Sequence, residues 1–203
     1  MRFLLCLAPF LFSSFVFADT LAITYGASGK EKIPEVAKLS DLELKRIGTG
    51  IRQKRVLINF NVYRASLLAS NPAQFSRVVE GSAALESLKN IDTYALHLQF
   101  FRNVSSADVL KSFNESLSKN SVKDGPALTQ FKEAIGKGGD IKEGNIINLV
   151  VDNKKGILLC EQGKSKVEIK GDAQFFRDIF SMWLGETTDV GLKNLKKALI
   201  TGQ

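Results

Sequence analysis

Among the residues able to do chemistry, the cations of KRIGTGIRQKR, residues 45–55, are the most crowded: Lys45, Arg46, Arg52, Lys54 and Arg55 flank Gly48 and Gly50. A guanidinium offers a planar fork of donors that fits a carboxylate, and it keeps its charge when it loses water. Arg52 comes directly after Gly-Thr-Gly-Ile, a place where the backbone has room for a ligand, so it is the candidate to turn inward and hold an anion. The other four cations read as a solvated charge run.

Other chemistry is bounded by scarcity. His97 is the one histidine, and Cys6 and Cys160 are the two cysteines. No His/Cys cluster suits zinc, and no triad joins a histidine to a recognised nucleophile motif. GTGIR lacks the glycine spacing of a dinucleotide fingerprint and GKGGD is not a phosphate loop, so neither cofactor nor metal is expected. Cys160, within GILLCEQ, reads as a buried apolar strand residue.

These residues need elements to position them. Residues 19–40 look irregular, with turn formers in YGASGKEKIPE, and DLELKRIGTGI reads as strand material broken at Gly48 and Gly50. From Val56 the even positions Val56, Ile58, Phe60 and Val62 are apolar, which is the period of a strand. A helical stretch over about 72–89, interrupted near Gly81, precedes the strand DTYALHLQFF, with His97 on its less apolar face. Ser105 or Ser106 caps a helix bearing Leu110, Phe113 and Leu117; a second helix carries Leu128, Phe131 and Ile135. Three short strands, NIINLVVD, GILLCEQ and KSKVEIK, are joined by hairpin-like turns. Two helices end the chain, one through Phe176, Ile179, Phe180 and Trp183 to Gly185, the other with Leu192, Leu195 and Leu199 inward. The order lacks the alternation of a doubly wound sheet. It predicts one α+β domain with a curved antiparallel sheet covered by helices on one face.

The N-terminus carries Arg2, an apolar stretch from Phe3 to about Phe17 and small Ala18, the pattern of a cleaved signal peptide. Residues 1–18 are then a leader, 19–203 the single mature domain, and the periplasm its compartment. The formal net charge of +7 drops by one with Arg2. That balance suits anionic solutes or peripheral contact with an anionic membrane surface. The scattered lysines form no stripe for nucleic acid, which is not expected as a partner.

GTGIRQKRVLINFNVYRASLL, LHLQFFRNVSSADVLKSF and VEIKGDAQFFRDIFSMWLGETTDVGLKNLKKAL resemble, in that order, successive blocks of the chalcone isomerase-like family, specifically its small exported bacterial members. The resemblance implies an open-faced β-sandwich, a large antiparallel sheet with helices layered on it around a cleft. Arg52 matches the arginine that binds substrate in true isomerases. The position of their threonine falls at Tyr63, of their catalytic tyrosine near Ser105, and of their cleft asparagine near Ser112. Relatives that bind fatty acids hold the carboxylate with an arginine and a tyrosine, an arrangement that Arg52 and Tyr63 resemble. Those two have opposite strand parity, so sharing a cleft requires a turn or bulge, expected near Gln53 to Arg55.

The expected function is that of a periplasmic binding protein for a small amphipathic carboxylic acid such as a fatty acid, with Arg52 as anchor and Tyr63 as donor. Tyr94 and His97 are further candidates for the lining, and Trp183 reads as core. Two alternatives stand beside it: an isomerase or lyase for an enone-like substrate, and a non-catalytic envelope scaffold. Pairing of Arg52 with an internal acid such as Glu43 would favour the scaffold.

Overall fold

The computed structural model describes residues 20–26, 33–55 and 58–202; the leader expected over 1–18, and Val56 and Leu57 of the expected strand, lie outside them. Eight strands, β1 Ala22–Gly26, β2 Ile33–Leu39, β3 Leu42–Arg55, β4 Asn59–Ala69, β5 Thr93–Phe100, β6 Ile146–Asp152, β7 Ile157–Gln162 and β8 Ser165–Lys170, form one sheet in chain order. Every neighbouring pair is antiparallel. The helices are α1 Ala83–Ser87, α2 Ser106–Lys119, α3 Pro126–Lys137, α4 Ala173–Leu184 and α5 Val190–Thr201. The sheet curls into a half-barrel with the helices against it, the α+β architecture expected.

Period-two alternation divides the buried residues between two faces. Ala65 and Leu67 of β4, Leu96 and Leu98 of β5, Ile147 and Leu149 of β6 and Cys160 of β7 join Phe113, Phe131, Phe180 and Trp183 from the helices in the main core. Residues of the intervening parity, Leu44, Leu68, Ala95, Val150 and Leu159, meet Leu21 and Ala37 in a smaller cluster on the second face. At ~25 cal/mol per Å2 of apolar area, each large side chain removed from water contributes about 1.5–3 kcal/mol, so the larger cluster dominates the hydrophobic stabilisation.

Local signals fix the helix starts. Ser105 caps α2 by accepting from the Asp108 amide at 3.1 Å, and Asp172 caps α4 by accepting from Phe175 at 2.8 Å. Gly185 follows α4 and its amide donates to Ser181 O. The stretch 72–89 is less helical than its sequence suggests: α1 is the only α-helical piece, two 3-10 turns flank it, and Gly81 takes a φ of +67°.

Two sequence expectations are corrected. Residues 22–26 and 33–39 are paired strands, not irregular chain; as an edge pair they carry Pro34 and mixed polarity, which blurs their alternation. Nor does β3 break at its glycines. A Cβ at Gly48 would collide with the carbonyl oxygens of Ala198 and Leu199, and one at Gly50 would lie 2.8 Å from Ala198 Cβ. The room left by Gly48 and Gly50 is filled by helix α5, which rides on the bare backbone of β3.

Candidate functional site

Below these glycines on the same face of β3 lies Arg52. Its direct cross-strand partner on β4 is Tyr63, while Gln53 pairs with Asn61. Val62 is therefore an extra residue, a bulge on β4 that brings Phe60 and Val62 to the helix-covered face beside Tyr63. A bulge does resolve the parity problem, one step from the expected place and on the opposite strand.

The floor of a cavity of about 360 Å3 between α2, α4 and the sheet contains Arg52 and Tyr63. Phe60, Phe100, Phe113, Met182 and Trp183 supply apolar wall, and Ser105, Asp108, Ser112 and Ser116 line it beside them. The volume is in the range of small-molecule sites. Tyr63 and Phe100 rings lie 5.3 Å apart, and Phe113 meets Trp183 edge-on at 5.5 Å, so the walls are held by rings with little rotational freedom.

Arg52 is only 7% exposed, and a buried charge needs a partner. It finds one in Asp189, with Nη1 2.9 Å from Oδ1 and Nη2 donating to Oδ2 at 2.9 Å. The same Asp189 caps α5, accepting from the Leu192 amide at 2.9 Å. Burial raises the Asp189 pKa, but the Leu192 amide and Arg52 outweigh it and hold the carboxyl below its ordinary value. Gly191 lets the helix come this close, since a Cβ there would collide with Gln53 O and Arg52 Nη1. Nη1 also donates to Gln53 O. Of the five N–H groups of a guanidinium, Nε–H and one Nη2–H remain without a partner among the described residues.

Tyr63 adds a hydroxyl beside them. Its oxygen accepts from Trp183 Nε1 at 3.1 Å, so its own proton is free to be donated. Burial pushes the Tyr63 pKa up to about 12, which keeps that proton in place at neutral pH. The floor thus presents hydrogen-bond donors to a space bounded partly by aromatic rings and partly by polar side chains, an arrangement suited to one acceptor head group on a small amphipathic body.

The mouth is polar. Lys54, Arg102 and Lys111 are exposed there, with Asp108 and Glu115 among them. Arg102 stacks its guanidinium 4.4 Å above the Phe60 ring. No group of three His, Cys, Asp or Glu residues is placed to hold a metal among the described residues.

A model of the family described as chalcone isomerase-like matches residues 27–201. The chain belongs to the chalcone isomerase-like family. Among solved structures it is similar to the crystal structure of a fatty-acid binding protein of Arabidopsis thaliana, with 17% identity, a TM-score of 0.62, and coverage of 88% of this chain and 96% of that one. No curated protein sequence matches it.

Within this chalcone isomerase-like chain, Ser105 and Ser112, where the family's tyrosine and asparagine were expected to fall, line the same cavity as Arg52 and Tyr63. Ser105 Oγ is engaged in capping, donating to Asp108 Oδ2 at 2.7 Å and accepting from the Asp108 amide. Tyr94 and His97 are not brought to the cavity. Tyr94 is on the same face but further along β5, packed edge-on against Phe180 at 4.9 Å. His97 has the opposite parity and lies on the second face.

There a polar row crosses the sheet. Thr49 Oγ1 and Ser66 Oγ are 2.8 Å apart, Ser66 pairs with His97, and His97 Nδ1 is 2.8 Å from Asn148 Oδ1. Asn148 Nδ2 donates to Glu161 Oε2 at 3.0 Å, and Glu161 Oε1 lies 3.6 Å from Lys166 Nζ. Because the Asn148 amide nitrogen is given to Glu161, its oxygen accepts from His97, which fixes the imidazole proton on Nδ1. Nε2 is left buried with no partner among the described residues.

Sequence reading missed Asp189 and the mouth cations Arg102 and Lys111. Asp189 stands 137 positions from Arg52, and its local signal was only that of a helix cap. Glu43, named as a potential internal acid for Arg52, instead lies 3.9 Å from Lys45.

Proposed function

We propose that this chain is a periplasmic binding protein for a small amphipathic carboxylic acid, with a fatty acid as the leading class. The observation that carries the reading is the buried Arg52 and Tyr63 pair at the floor of a cavity of about 360 Å3 lined by both aromatic rings and polar side chains. An acid's chain would replace water along Phe60, Phe100, Phe113 and Trp183, and its head would meet donors that are otherwise idle. The similarity to a fatty-acid binding protein supports the same ligand class, and the N-terminal leader pattern supports export.

Binding is favoured over an isomerase or lyase because the floor offers no proton acceptor matched to neutral pH. Arginine stabilises charge without moving a proton, and a tyrosine with a pKa of about 12 holds its own. The scaffold reading draws on the Arg52–Asp189 pair, which resembles a structural clasp. Native mass spectrometry of the chain starting at Asp19, incubated with a panel of saturated fatty acids, separates the readings. A one-to-one complex lost in the folded Arg52→Ala, Tyr63→Phe double variant supports binding at this site. Retention in that variant overturns the residue assignment, and absence of any complex supports the scaffold.

A further inference from the structure

Asp189 does not line the cavity; it closes on Arg52 from the start of α5 and occupies the end of the guanidinium. The side edge, Nε–H with the remaining Nη2–H, is what a ligand can meet. Before any ligand arrives, the charge at the floor is already balanced. Lys54, Arg102 and Lys111 at the mouth are exposed and accompanied by Asp108 and Glu115, so water screens their influence on the floor. A second carboxylate placed there would give two negative groups to one buried arginine. A neutral acceptor takes the same N–H and O–H donors without that imbalance.

We propose that Asp189 is a specificity-determining residue that makes the Arg52 site select uncharged carbonyl head groups, such as a protonated acid, an ester or a ketone, over a carboxylate anion. The proposal rests on the binding reading above and changes its head group: the Arg52 and Tyr63 donors stay, while an ionised fatty acid becomes the weaker of the ligands. Asp189 has a side-chain exposure of 42%, so solvent weakens its field, and the expected discrimination is about tenfold, not thousands.

The test uses calorimetric titration of the mature chain and of Asp189→Asn at neutral pH with two probes of like length, octanoate and methyl octanoate. Asparagine retains the helix cap and one oxygen facing Arg52 but puts an amide donor where Nη2 had its acceptor; the charge is lost, and the urea midpoint of the variant checks that the fold is kept. The native chain is expected to bind methyl octanoate at least as tightly as octanoate. In Asp189→Asn, octanoate should gain about tenfold and methyl octanoate should change by less than about twofold. Octanoate binding that is unchanged or weakened in the variant overturns the specificity role while leaving the binding reading intact. Failure of both probes to bind either protein overturns the binding reading and this proposal with it.

Discussion

The two faces of the sheet bury ionisable groups in opposite ways. On the helix-covered face Arg52 keeps two N–H groups unspent beside an open space; on the second face His97, Asn148 and Glu161 bond one another in a row, and the unspent His97 Nε2 and Glu161 Oε1 are buried. The difference lies in what covers each face: α2 and α4 leave a cavity over Arg52, whereas Leu21 and Ala37 pack with the apolar residues of the second face. A buried polar group thus becomes a binding element only where packing leaves it an unfilled volume, and composition alone does not say where that is.

The comparison can be broken most forcefully at Asn148. Asn148→Leu removes the bridge between His97 and the buried Glu161 and should cost about 3 kcal/mol in urea unfolding, with fatty-acid affinity changed less than about twofold if the faces are independent. A parallel loss of affinity would show them coupled. Next in size, Gly191→Ala forces α5 away from Arg52 and should cost about 2 kcal/mol. Here affinity measured by the same titration should fall as well, because the arginine loses its fixed direction.

Trp183→Phe is a finer probe. It keeps an aromatic wall but removes the donor to Tyr63, for an expected loss of about 1 kcal/mol and weaker ligand retention by native mass spectrometry. The smallest effect concerns pH. Burial lowers the His97 pKa, with the Asn148 bond partly opposing it. A folded value below the unfolded one of about 6.5 means that this contribution is complete above that pH and is lost as pH falls below it. Urea midpoints of His97→Gln should therefore depend less on pH just below 6.5 than those of the native chain; identical slopes would show that the second face accepts the charge. Asp189, held below the ordinary carboxylate value, acts in a separate window: its contribution is present above about 3.9 and lost as pH falls through the lower folded value.

The sheet and its helices were legible wherever period two or period 3.6 persisted for a few turns, as in β5 and in α2 through α5. Alternation also put His97 on the less apolar face, which the polar row bears out. It could not admit both Tyr94 and His97 to one cleft, since positions three apart on a strand point to opposite sides. Arg52 facing inward, Tyr63 beside it and an intervening bulge were within reach of the sequence. Asp189 was not, because an ion pair between β3 and the last helix leaves no trace in either local pattern. The glycines of GTG misled for the same reason. A glycine signals that something approaches the backbone, and only the tertiary fold reveals that the visitor is Ala198 and Leu199.

The seating of α5 on β3 also orders events in time. Strands that pair in chain order can zip together as they are made, but Gly48 and Gly50 wait for a helix that begins at Val190. Until that last segment is synthesised, Arg52 lacks its Asp189 partner and β3 lacks the helix that rides on it. The buried ion pair is consequently a property of the finished polypeptide, and a chain stopped before residue 189 would carry all eight strands yet leave the Arg52 guanidinium without its carboxylate.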